Sequence, residues 1–202
     1  MVVSRFRLAA LSAAALAVVA CSKKDDTAAD TTAASTTTAD TSAMTSSSTT
    51  TTSGTWSDAN IVALLDEANA ADSTAGSVAA TKGTAAAVRT FARDMMRDHH
   101  SLRVQGAALA KKLNVTPAAP GDDPVPAMAQ SESNTLSSTA KGKDFDKAYI
   151  DAEVNAHKAV LDLATKAAGQ TQTTELKNLI QKAAPLIQAH LDKAEAIQKT
   201  LQ

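Results

Sequence analysis

The 202-residue sequence predicts an all-α fold built around a bundle of four long helices. Apolar residues make up 44% of the chain, with alanine as their main component, whereas aromatic residues make up only 2%. Alanine favours helices, and strands prefer β-branched and aromatic residues. Four long stretches also show the three-and-four spacing of apolar residues that is typical of a helix with one buried face.

Start and stop signals delimit each of these stretches. Ser57 is a preferred N-cap residue, Gly83 ends the first helix, and Thr84 is expected to cap the second. The four predicted helices run from about Asp58 to Lys82, from Thr84 to about Leu113, from near Asp144 to Gly169, and from near Thr173 to about Leu201.

The lengths of the connections predict the topology. Gly83–Thr84 and Gly169–Gln172 are short, so each joins an antiparallel pair of helices. The proline-rich segment between the second and third helices is long enough to run the length of the bundle, and it can accommodate a short helix from Ala127 to Ser138. Two antiparallel hairpins joined by a long crossover form the ferritin-like arrangement of a four-helix bundle.

The N-terminus has the pattern of an export signal. Arg5 and Arg7 precede a short apolar stretch, as in a secretory signal peptide. The sequence Val18-Val19-Ala20-Cys21 resembles the bacterial lipoprotein lipobox, so we expect residues 1–20 to be removed and Cys21 to be lipidated. The alternative is an ordinary secretory signal that contains a cysteine. Acyl chains on Cys21 would anchor the protein in a membrane.

A segment of low complexity follows the cysteine. Residues 21–56 are almost entirely Thr, Ser, Ala and Asp, and such a composition cannot bury enough apolar surface to fold. We expect a disordered tether here, followed by the helical domain at residues 57–202. Ser22 after the cysteine is similar to the signal for sorting to the outer membrane. The expected location is therefore the cell envelope, with a lipid anchor in the outer membrane and the domain in the periplasm.

Each predicted apolar seam is interrupted by one polar residue. These residues are Asp72, His99, His157 and His190, and Glu153 lies beside the third seam. Counted outward from the turns, Asp72 lies near the depth of His99, and His157 near that of His190, because side chains lean toward the N-terminus of their helix.

This arrangement allows two interpretations. A carboxylate and three imidazoles inside a bundle could bind a transition metal such as iron, zinc or copper. Alternatively, the polar side chains could satisfy one another and fix the register of the helices. His100 and Asp98 fall off the seam and are expected on a solvated face, although Asp98 could reach a neighbouring histidine.

Three sequence motifs resemble a bacterial family known as predicted outer membrane proteins, with domain of unknown function 4142. The motifs are Val88–His99, then Phe145-Asp146 with Tyr149 and His157, and then Pro185–Leu191. The resemblance covers about Asp58 to Leu201 and implies a ferritin-like bundle without a settled activity. Di-iron ferritin-like proteins use Glu-x-x-His, whereas Met96 and Ile187 stand at those positions here, which argues against oxidase activity.

The sequence contains no complete catalytic constellation: it lacks a nucleophile elbow, a phosphate-binding glycine loop and a haem attachment motif. Scarce aromatics and a net charge of −1 argue against nucleic acid as a partner. The leading hypothesis is a non-enzymatic, lipid-anchored envelope protein with a binding, structural or stress-protection role. The alternative is a metal-binding or redox bundle. Partners would be the membrane, through the lipid, and a second copy or another envelope protein.

Overall fold

A computed structural model describes residues 54–202, which form five helices and no strand. The helices are α1 (Asp58–Lys82), α2 (Ala86–Lys112), α3 (Val125–Ser138), α4 (Lys143–Gln170) and α5 (Thr174–Thr200). The all-α prediction is confirmed, and the predicted helix ends are correct to within two residues. α3 is the short helix that the crossover was expected to accommodate. Within this described part of the chain, no helix is both long enough and apolar enough to cross a membrane.

The packed region begins earlier than predicted, because Trp56 belongs to it rather than to the tether. The Trp56 side chain is buried, and its indole Nε1–H donates a hydrogen bond to Asp122 Oδ1 at 3.2 Å. The Lys166 ammonium lies 3.6 Å from the centre of the ring. Cys21, the predicted signal peptide at residues 1–20 and the tether up to residue 53 lie outside the described residues.

The long helices pack as two pairs. α1 packs mainly against α2, and α4 against α5, while α3 packs against α1 and α4. Gly76 lets α1 come close to α2, since a Cβ atom at this position would lie 2.8 Å from the carbonyl oxygen of Ala92. The structure thus consists of two helical hairpins with α3 placed across one face.

Two apolar clusters fill the interior. One contains Phe91, Phe145 and Tyr149, and the other contains Trp56, Leu64 and Leu176 among others. On each of α1, α2, α4 and α5 one buried polar residue lies between residues of the first cluster and residues of the second. These four residues are Asp72, His99, His157 and His190. The core is therefore divided by a polar layer.

The start of α2 differs from the sequence prediction. Ala85, and not Thr84, occupies the N-cap, and α2 has no side-chain cap of its own. The buried carboxylate of Asp146 on α4 takes that role: it accepts hydrogen bonds from the backbone N–H groups of Thr84 (2.8 Å) and Ala85 (2.7 Å), and from the Thr84 hydroxyl. A carboxylate is also favoured at a helix N-terminus by the helix dipole. Asp146 therefore links the two hairpins.

We predict that Asp146→Asn destabilises the protein by on the order of 2 kcal/mol, because an amide cannot accept from all three donors and leaves a buried N–H without a partner. Urea unfolding followed by circular dichroism measures the change. Asp144→Asn is the matched control, since Asp144 is exposed in the same first turn of α4. Equal losses for the two variants would contradict the capping role of Asp146.

Candidate metal centre

Three histidines from three helices meet inside the bundle. His99 lies on α2, His157 on α4 and His190 on α5, and their side chains are 1%, 1% and 6% exposed. The ring centres are 5.6 Å apart for His99 and His157, 5.2 Å for His99 and His190, and 5.5 Å for His157 and His190. We call these three residues the histidine site.

One nitrogen of each ring is held by a neighbouring acceptor. His99 Nδ1 lies 2.8 Å from Asn69 Oδ1, and His157 Nδ1 lies 2.9 Å from the backbone carbonyl oxygen of Glu153. His190 Nε2 lies 3.0 Å from Asp98 Oδ2. Because all three partners are acceptors, these nitrogens carry the ring protons, and the opposite nitrogen of each neutral ring keeps its lone pair.

The opposite nitrogens have no hydrogen-bond partner. His99 Nε2, His157 Nε2 and His190 Nδ1 are all buried and unpaired. Each of the three residues offers a ligand atom within 4.8 Å of those of the other two. Buried polar atoms are nearly always satisfied in proteins, so three unsatisfied acceptors in one place indicate a site for a ligand that accepts electron pairs.

Burial keeps the rings of His99 and His190 neutral. Burial, reinforced by the neighbouring His157 and His190 rings, lowers the pKa of His99 to about 3. Burial also lowers the pKa of His190, against the opposing effect of its hydrogen bond to Asp98. Partial burial opposes ionisation of Asp98, but the hydrogen bonds from Arg97 and His190 outweigh it and lower the pKa of that carboxyl. At neutral pH a cation would not have to displace protons from His99 or His190.

Carboxyl groups lie beside the histidine site. Asp72 and Glu153 are buried, and together with His157 they offer ligand atoms within 4.8 Å of one another. Glu132 on α3 faces the same region, and one of its oxygens is buried and unpaired. Burial raises the pKa of Glu153 to about 8, and burial and then the charge of Glu153 raise the pKa of Glu132 to about 8. The same two causes raise the pKa of Asp72 well above its ordinary value.

The structure brings together the five residues that the sequence predicts for the site. They are Asp72, His99, Glu153, His157 and His190. Asp72 is a neighbour of His99, at 3.4 Å from its Nδ1, while the shorter contact of that nitrogen is to Asn69. Of the two expectations for Asp98, contact with a neighbouring histidine is the one observed, since its carboxylate accepts a hydrogen bond from His190. His100 is exposed, as predicted.

The sequence pattern does not predict two residues that lie near the site. Asn69 lies three residues before Asp72 on the same face of α1, so the helical period could have placed it near His99. Glu132 lies on α3, whose position depends on the crossover, and no periodic pattern relates it to the four seams. Both residues are polar, and the sequence alone does not distinguish them from solvent-facing side chains.

The sequence of this chain matches a known family, and its fold is similar to that of a solved structure. The family described as "Domain of unknown function (DUF4142)" matches residues 39–197. The chain belongs to this family. No curated protein matches the chain. Among solved structures, one described as "CopM in the Cu(II)-bound form" is similar to it with a TM-score of 0.59 and 13% sequence identity. The similarity covers 73% of this chain and 99% of that one, and at this identity it shows a shared fold.

We predict that the metal-free protein loses stability as the pH rises toward 8. The pKa of Glu132 is about 8 in the folded protein against an ordinary 4.5, so the folded protein holds a proton that the unfolded chain has released, and its contribution to stability is lost as the pH rises through about 8. The lowered pKa of His99 has the opposite effect on stability, but only below about pH 6.5. There the imidazole is protonated in the unfolded chain and stays neutral in the folded protein, so stability falls as the pH falls.

Urea unfolding between about pH 6.5 and 8, with a chelator present, isolates the carboxyl effect, because the contribution of His99 lies below this range and that of Glu132 ends near its folded pKa of about 8. Glu132→Gln is expected to make the fall in unfolding free energy shallower than in the wild type. The control Glu175→Gln changes an exposed carboxylate and should retain the wild-type slope. A Glu132→Gln protein with an unchanged slope would show that Glu132 does not hold its proton in the folded state.

Proposed function

We propose that this protein binds a transition metal through His99, His157 and His190, and that its function in the cell envelope is metal binding. The observation that carries the proposal is the convergence of three buried imidazole nitrogens without partners. Neutral imidazole is a good ligand for copper, zinc, iron and nickel.

The spacing of the rings fits this assignment. A metal about 2.0 Å from each nitrogen lies roughly 3 Å from each ring centre, so trigonal or tetrahedral coordination needs ring centres roughly 5 to 5.5 Å apart. The observed separations are 5.2, 5.5 and 5.6 Å. The donor set and its dimensions therefore suit one ion held by all three rings.

The hydrogen bonds on the far side of the rings also support a metal site. Ligating histidines usually donate their other N–H to a carboxylate or a carbonyl oxygen, which fixes the tautomer and orients the ring. Asn69, the Glu153 carbonyl group and Asp98 do this for His99, His157 and His190. A polar layer that only fixed the helix register would be expected to pair the inner nitrogens as well, because an unpaired buried acceptor is unfavourable.

Copper is the metal to test first. Nitrogen and oxygen sites bind Cu(II) more tightly than other divalent first-row metals. The structural neighbour CopM is described in a Cu(II)-bound form, and the shared fold makes copper a reasonable candidate here. Zinc and iron are the other candidates. When bound, the ion would serve as cargo to be stored or passed on, and this chain's residues would bind it, orient the rings and exclude water.

We predict that the full-length protein, purified without an affinity tag or chelator, binds one equivalent of Cu(II), with nitrogen couplings from three imidazoles in its electron paramagnetic resonance spectrum. Loss of a histidine's hydrogen-bond partner typically weakens metal binding by about 10 to 100-fold, and loss of a ligand weakens it more. His157→Ala and His190→Ala should therefore weaken Cu(II) binding by more than about 100-fold, and Asp98→Asn by about 10 to 100-fold.

His100→Ala is the matched control, because His100 is exposed next to His99 on the same helix. It should retain wild-type affinity. A wild-type protein that binds no stoichiometric metal among Cu(II), Zn(II) and Fe(II) would refute the proposed function. An equal loss of affinity in His100→Ala and His190→Ala would refute the assigned ligands.

We also propose that the protein is a lipoprotein of the outer membrane, anchored through Cys21, with the domain in the periplasm at the end of the tether. The support is the signal-like start and the lipobox-like sequence before Cys21. In the same proposal, the two hairpins and the crossover correspond to a ferritin-like four-helix bundle with α3 added. A lipid anchor would keep a metal-binding domain at the membrane surface.

We predict that Cys21→Ser moves the protein from the membrane fraction to the soluble fraction, since several acyl chains supply the binding energy of the anchor. Fractionation of cells followed by immunoblotting measures the distribution. Ser35→Ala, in the predicted tether, is the control and should remain with the membrane. A Cys21→Ser protein that also remains there would refute anchoring by lipid.

A further inference from the structure

We propose that an apolar cavity between the two hairpins binds a neutral, apolar small molecule of roughly 15 to 20 non-hydrogen atoms. The cavity has a volume of about 450 Å³, and its walls come from α1, α2, α4, α5 and the crossover. We call it the aliphatic cavity. It is distinct from the histidine site, because none of the three histidines lies on its walls.

The inner walls of the aliphatic cavity offer little to a polar ligand. The polar residues on the walls are Asp66, Glu67, Asn69 and Arg103, and all the others are aliphatic, proline or glycine. The Asn69 side chain is already paired, since its amide group donates to the backbone carbonyl oxygen of Leu65 and its oxygen accepts from His99. Among the described residues, none with a buried, unpaired side-chain polar atom lies on these walls. Water would lack partners in the interior of this cavity, whereas an apolar molecule needs none.

The charged residues on the walls favour a neutral ligand over an anionic one. Arg103 Nε and Nη2 donate to the two carboxylate oxygens of Asp66, at 2.8 and 3.1 Å. The charge of Arg103 is thereby already offset, and Glu67 adds a second carboxyl group to the same walls. No unopposed positive charge is left to hold an anionic head group, and burying such a group without a partner is unfavourable.

The volume of the aliphatic cavity suits a small molecule. Pockets that bind small molecules typically measure about 300 to 1,000 Å³. An apolar cavity of about 150 Å³ is enough to hold benzene, so the observed volume of about 450 Å³ corresponds to roughly 15 to 20 non-hydrogen atoms. Closely packed protein interiors contain few voids larger than a water molecule. The cavity is therefore much larger than an ordinary gap in packing.

Gly106 is an independent indication that this space is kept open. It lies inside α2 and on the wall of the cavity, and a Cβ atom at this position would meet no atom within 4 Å. Glycine inside a helix is less favourable than alanine by about 1 kcal/mol. Close approach of another helix explains Gly76, but neither a close contact nor a positive φ requires glycine at position 106. Its effect is to leave the cavity unfilled.

The aliphatic cavity lies directly beside the polar layer, on the side of the second apolar cluster. Leu102, Val160 and Ile187 are on its walls, and each is one helical turn from the histidine of its own helix. Asn69, which accepts the hydrogen bond from His99, is also on the walls. A molecule in the cavity would therefore contact the residue that orients His99 without occupying the histidine site.

Fluorescence titration with N-phenylnaphthylamine tests the proposal, because this neutral probe has the predicted size and its emission increases in an apolar environment. The reference protein is the full-length, metal-free Cys21→Ser variant, so that no detergent is needed for a lipid anchor and none competes for the probe. It should bind one probe molecule. Gly106→Leu, and separately Ala183→Leu, fill the cavity from two different helices. Each should weaken probe binding by at least about tenfold, because the added side chain occupies the apolar space that the probe needs.

Gly169→Leu is the matched control. Gly169 also lies in a helix with no atom within 4 Å of its Cβ position, but it is not on the walls of the cavity, so this variant should retain the affinity of the reference protein. The sulfonated analogue of the probe, anilinonaphthalene sulfonate, should bind at least about tenfold more weakly than the neutral probe, because its charge would be buried without a partner. Circular dichroism checks that each variant is folded.

The outcomes separate the site from the class of its ligand. Saturable one-to-one binding that is lost in both filled variants and kept in Gly169→Leu supports the aliphatic cavity as the site. If the reference protein shows no saturable binding, or if either filled variant is folded and binds the probe equally well, the proposal is refuted. Equal affinity for the sulfonated analogue would refute a neutral ligand. Because no metal is present, none of these results bears on metal binding at the histidine site.

Discussion

The rest of this structure depends on the hydrogen bonds that hold the outer nitrogen of each of the three histidine rings. Asn69, the Glu153 carbonyl group and Asp98 hold one nitrogen of each ring, and so they fix both the tautomer and the direction of the other nitrogen. Without these acceptors, three buried imidazoles would have no fixed orientation in an alanine-rich interior. With them, each ring has a fixed orientation, and the helices hold the three ring centres 5.2 to 5.6 Å apart.

The rest of the core is arranged around this polar layer. Apolar clusters lie on both sides of it, and each long helix contributes residues to both clusters and one residue to the layer. Asp146 bonds to the start of α2 and thereby ties the two hairpins together at the end of the bundle near Phe145. Hydrogen bonds of this kind fix the position of each helix along its axis. Apolar packing among many small alanines constrains that position only weakly. The position of the histidine site thus depends on polar contacts as well as on burial.

The sequence predicts the long helices and the inward histidines because both depend on a local, periodic pattern. His99, His157 and His190 continue apolar seams, so the helical period alone places them inside. Asn69, Glu132 and Asp146 could not be identified as site or capping residues in this way. Asp146 caps a helix more than 60 residues away, and Glu132 reaches the interior only because α3 packs between α1 and α4. These contacts arise from the tertiary arrangement, and no single stretch of the sequence predicts them.

The three rings come from both hairpins, so a ligand that binds all of them affects how often the hairpins separate. His99 belongs to the first hairpin, whereas His157 and His190 belong to the second, so the three nitrogens come together only while the hairpins are docked. An ion bound by all three therefore binds the native state and not a separated pair of hairpins. At a free concentration of about 100 times its dissociation constant, such a ligand adds about 2.7 kcal/mol to the stability. Metal supply would in this way set how often the hairpins part, and hence how readily a protease cleaves the chain.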